Sequence, residues 1–133
     1  MKSLLLILFI PFAKEIPYRT LTWSDFKGKP DKSTTIARSY TGIIIEKDTA
    51  FAYFDVERSW TRTNDEAVLW HEQIHFAITK MWAMRISNSL IYGSLFVADY
   101  LKEWGKMEEA YDEETDHGNN LEKQKEWEEK IKL

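Results

Sequence analysis

Cysteine is absent from all 133 residues, which excludes disulfides, thiolate nucleophiles, cysteine-ligated zinc and an acylated lipoprotein cysteine. Redox chemistry therefore does not mark a compartment. The chain also lacks an apolar run of the ~20 residues that a spanning helix requires; its longest, SLLLILFIPFA at residues 3 to 13, is too short. Basic clusters are missing as well. Residues 101 to 133 hold six Lys and no Arg against eleven Asp or Glu, a local charge of -5 in a chain of formal net charge -4. Nucleic-acid binding needs a clustered basic face, so no nucleic-acid partner is expected. Histidine is scarce too, at three residues, and that scarcity makes the placement of each one informative.

What is present suits one domain. Hydrophobic residues make up 44% of the chain, with six Trp, six Tyr and seven Phe, enough to bury a core without covalent staples. Met1-Lys2, the short apolar run and Ala13 before Lys14-Glu15 resemble a secretory signal. Residues 1 to 13 are expected to be a signal peptide, residues 14 to 133 the mature domain, and the protein secreted or periplasmic, with no membrane span after signal removal.

Along that domain, residues 18 to 31 read as a strand and a turn, with Gly28-Lys29-Pro30 as the break. Residues 39 to 48 and 49 to 60 read as a strand pair with a turn at residues 46 to 49. In the second strand Ala52, Phe54 and Val56 alternate with Phe51, Tyr53 and Asp55, a half-buried pattern. The period then lengthens. Thr63 to Glu66 offers a capping box for a helix running to about Ile86, which Ser87-Asn88-Ser89 should interrupt. A second helix is expected over residues 90 to 104, ended by Gly105. A short third follows around residues 108 to 111, then a loop over residues 115 to 120 and a terminal helix. The predicted class is α+β: a small antiparallel or mixed sheet, then an active-site helix and further helices.

The helix after the strands carries WHEQIHFAIT, residues 70 to 79. Residues four apart on a helix share a face, with Cβ atoms ≈ 5–6 Å apart, so His71 and His75 can both reach one metal ion. Glu72 lies about a hundred degrees around the helix, where its carboxylate can serve a metal-activated water as general base. Chance alone would place HExxH in about one chain of this composition in 150, so context decides. A catalytic zinc takes three protein ligands and leaves one position open. His117, in AYDEETDHGNN, is the remaining histidine and the preferred third ligand. Asp112, Glu114 and Asp116 are carboxylate competitors, and Asp112 or Glu114 could instead orient His117. Tyr111 reads as core packing rather than an oxyanion donor.

Four stretches carry a resemblance: TLTWSDFKGKPD (20 to 31), the RSW ending at Trp60, LWHEQIHFAIT (69 to 79) and YDEETDHGNNLEKQKEWEEKI (111 to 131). Together they resemble a bacterial domain-of-unknown-function family, number nine hundred and twenty-two, described as predicted secreted zinc-dependent proteases. The resemblance implies a zincin-like metallopeptidase that binds Zn2+ through His71, His75 and His117, uses Glu72 as the catalytic glutamate, and acts on a peptide or protein. By analogy, the strand ending at Trp60 would edge the cleft. A different class remains open on the same residues: a non-catalytic, zinc-stabilised binding module of the cell envelope.

Overall fold

The computed structural model describes residues 15–93 and 96–132; the expected signal peptide, residues 1 to 13, lies outside them. Five strands come first: β1 (Glu15–Pro17), β2 (Ala37–Arg38), β3 (Thr41–Glu46), β4 (Thr49–Asp55) and β5 (Trp60–Thr61). Three helices follow, α1 (Glu66–Ile91), α2 (Val97–Thr115) and α3 (Leu121–Lys130). The class is thus α+β, with two small antiparallel sheets ordered β1-β4-β3 and β2-β5.

The alternation expected in residues 51 to 56 is the organising feature of the larger sheet. Ala52, Phe54 and Val56 are buried, whereas Phe51 on the opposite face is partly exposed. Register is set by the two-residue turn Lys47-Asp48, which pairs Glu46 with Thr49 and holds Lys47 at φ 56°. The buried face meets Phe76, Ala83 and Ile86 of α1, so burying these apolar side chains holds the helix to the sheet. The other side of α1 joins Ile74, Ala77, Ile78 and Trp82 to Tyr111 of α2 and to Trp127 and Ile131 at the α3 end. Covered on both sides, α1 is buried without a break from His71 to Thr79, so the polar side chains in its middle, His71, His75 and Thr79 among them, face protein groups.

Several expected boundaries move, each for a local reason. Residues 18 to 31 form no strand. Gln73 of α1 takes their backbone instead, accepting from Leu21 N–H through Oε1 at 2.6 Å and donating through Nε2 to Arg19 C=O at 3.2 Å. A 3-10 turn at Trp23–Asp25 follows, with Asp25 accepting from Thr22 N–H and paired with Arg19. Gly28 does mark a turn there: its N–H donates to Ser59 C=O, and a Cβ would stand 2.6 Å from Glu57 O. The cap of α1 is Asp65, whose side chain accepts from Ala67 N–H at 2.8 Å, two residues beyond Thr63.

The break expected at Ser87-Asn88-Ser89 does not occur. Ser87 Oγ accepts from Ala50 N–H at 2.8 Å and donates to Ala50 C=O at 3.2 Å, so the hydroxyl is satisfied across the sheet edge and no longer competes with the helix backbone. Nor does Gly105 end the second helix. Its missing Cβ faces open space, and glycine in a helix interior costs only ~1 kcal/mol relative to alanine. The separate short helix expected near residue 108 is therefore the last third of a continuous α2.

Candidate metal centre

Helix α1 presents His71 and His75 one turn apart, ring centroids 5.0 Å from each other and planes at 88°. Helix α2 brings Asp112 between them. Its Oδ1 lies 3.0 Å from His71 Nε2 and 2.8 Å from His75 Nε2, so two imidazole nitrogens from one helix and a carboxylate oxygen from another converge within 4.8 Å. Each ring is held from behind. His75 Nδ1 meets Glu108 Oε2 at 2.5 Å, and the other oxygen of Glu108 accepts from Thr79 Oγ1 and Trp104 Nε1. His71 Nδ1 meets Gln124 Oε1 at 2.9 Å, reaching over from α3.

A neutral imidazole has one N–H to give, yet all four ring nitrogens here face oxygen acceptors. With both Nδ1–H groups donated to Glu108 and Gln124, both Nε2 lone pairs point at the oxygen of Asp112. That arrangement requires positive charge between them, carried by protons or by a metal ion. Zinc fits: its usual donors are imidazole nitrogens and carboxylate oxygens, and a ligating histidine commonly gives its other N–H to a carboxylate or carbonyl.

Electrostatics agrees with the geometry. Burial alone would raise the Asp112 carboxyl, but its hydrogen bonds to His71 and His75 outweigh burial and hold it well below the usual carboxylate range. Burial opposes a charged His75, yet Glu108 and Asp112 together raise it well above the ordinary imidazole value.

Glu72 is buried, and its Oε1 accepts from Ser39 N–H at 2.9 Å. With His75, Asp112 and His117 it lines a cleft of about 710 Å³. Tyr111 is core, as expected: it stacks on His71 with centroids 4.6 Å apart and planes 15° apart, and its hydroxyl donates to His71 C=O at 2.9 Å. Burial pushes that phenol above its ordinary range. Glu114 turns away from the two histidines and accepts from Trp127 Nε1.

His117 sits in a left-handed turn, Asp116 at φ 49°, His117 at 52° and Gly118 at 90°. Its side chain is 65% exposed, with Nδ1 3.5 Å from Asp112 Oδ1. Glycine is favoured beside it, since Gly118 holds φ 90°, where a side chain is strained, and a Cβ would also press on the His71 ring at 3.1 Å.

The cleft wall differs from the one expected. Trp60 belongs to β5, is buried, and pairs with β2, so residues 34 to 40 line the cleft instead. Arg62 N–H donates to Ile36 C=O, and strand alternation then turns the backbone groups of Ala37 and Ser39 to the other side, where Ser39 meets Glu72. Glu108 and Gln124 were not legible as site residues. The one available hint was that Glu108 precedes Asp112 by four positions and so shares its helix face. Compared with family models, with curated proteins and with solved structures, the chain matches none.

Proposed function

We propose that the protein is a zinc-dependent metallopeptidase of zincin-like type, secreted or periplasmic, acting on a peptide or protein. The reading rests chiefly on one observation: a glutamate directly following the first of two convergent histidines lines the same cleft as the second histidine and Asp112. The resemblance to the predicted secreted zinc-dependent proteases points the same way. Zinc in such a site lowers the pKa of a bound water and polarises a carbonyl.

The chain's own residues would do the rest. Glu72, anchored through one oxygen by Ser39, takes a proton from the attacking water and passes it to the leaving amine. The backbone of Ala37, turned away from β5, pairs with an extended substrate. Among the described residues no helix is long and apolar enough to cross a membrane.

Elemental analysis of the purified protein, followed by incubation with a peptide library read by mass spectrometry, tests the proposal. One zinc per chain and cleavage abolished by a chelator are expected. Stoichiometric zinc with an uncut library would favour the non-catalytic binding module instead, because that reading predicts metal-dependent stability without hydrolysis.

Glu108 offers a further check. Glu108→Gln keeps the shape but weakens the acceptor behind His75, and zinc affinity measured against a chromophoric chelator is expected to fall about 10–100-fold. An unchanged affinity would mean that Glu108 only fills space.

A further inference from the structure

Resting on the metal-centre reading above, we infer that Asp112 rather than His117 is the third protein ligand, and that His117 stands outside the coordination sphere on the cleft wall. The distances carry the assignment. Donors bound at ≈ 2.0–2.2 Å around a tetrahedral zinc are about 3.3–3.6 Å apart, and Asp112 Oδ1 already lies 3.0 and 2.8 Å from the two Nε2 atoms. The compact set of potential donors contains His71, His75 and Asp112; His117 is not in it.

The supports differ in kind as well. Asp112 projects from the last turn of a continuous helix, one residue after Tyr111, which is fully buried and bonded to the His71 backbone. Its oxygen is therefore fixed relative to both imidazoles. His117 follows the helix in a left-handed turn and is mostly exposed; although its Nδ1 stands 3.5 Å from Asp112 Oδ1, it is not among the donors that lie within 4.8 Å of one another. Within the cleft His117 shares the lining with Glu72, Arg38 and Leu121, where an imidazole can touch substrate. A set of two histidines and a carboxylate leaves the fourth position open, as a catalytic site requires.

Metal binding separates the assignment from the activity. Zinc affinity would be measured by chelator competition on the full chain and on Asp112→Asn, Asp112→Glu and His117→Ala, with circular dichroism to check folding. Cobalt absorption spectra would be recorded for wild type and His117→Ala. Support would be one metal per wild-type chain, affinity within about threefold and an unchanged cobalt spectrum in His117→Ala, and a loss exceeding about 100-fold in Asp112→Asn that Asp112→Glu partly restores; these thresholds lie below and above the 10–100-fold typical of outer-shell changes.

A cobalt spectrum that shifts in His117→Ala would overturn the inference even if Asp112→Asn fails to fold. So would equal losses in the Asp112→Asn and His117→Ala variants, which would make both residues ligands. In either case the metal centre itself would stand. A wild type that binds neither zinc nor cobalt would overturn the metal-centre reading, and this assignment with it.

Discussion

Glu72→Gln is expected to retain its zinc and its melting temperature while losing about 10²–10⁴-fold in turnover, the range that a positioned general base supplies. The substitution is nearly isosteric, and the amide oxygen of glutamine can still accept from Ser39 N–H, the contact Glu72 makes at 2.9 Å. The local structure of β2 against α1 should therefore survive. What disappears is the capacity to take a proton from water. Comparing kcat/KM on a peptide recovered from the library, with zinc content measured on the same preparations, checks the assignment. A variant that keeps both its metal and its rate would remove Glu72 from the chemistry.

Trp127→Ala should produce the largest loss of stability, about 3–5 kcal/mol. Trp127 is almost fully buried, packs edge-on against Tyr111 with centroids 5.4 Å apart, and donates to Glu114. Removing it leaves a cavity between α3 and the rest of the protein. Because Gln124 lies one turn earlier on α3 and contacts His71, metal affinity should fall along with stability. Urea unfolding with and without zinc measures both. If stability drops while affinity stays at the wild-type value, α3 is only packing and its contact with His71 does not tune the site.

Much of the site was legible because its period is short. The HExxH spacing places His71 and His75 on one face in any helix, and Asp112 stood among the carboxylate competitors on ligand chemistry alone. What could not be read was how a distant helix docks. Gln124 meets His71 across 53 positions and Glu108 meets His75 across 33, and neither pairing leaves a periodic trace.

The same limit explains the helix ends. Ser87 looks like a breaker until β4 supplies the Ala50 backbone, and Gly105 looks like a stop although its surroundings neither require a left-handed turn nor fill the space of a side chain. Within the hairpin, where partners are close in sequence, the alternation of Ala52, Phe54 and Val56 predicted the buried face correctly.

The link between Gln124 and His71 also makes the last helix a working part of the candidate site. A chain truncated in the turn at residues 118 to 120 would keep His71, Glu72, His75 and Asp112, yet lack the group behind His71 and the Trp127 cover over Tyr111. Such a fragment should hold metal loosely. If the site binds metal as proposed, α3 is part of it, because Gln124 and Trp127 reach His71 and Tyr111 from that helix.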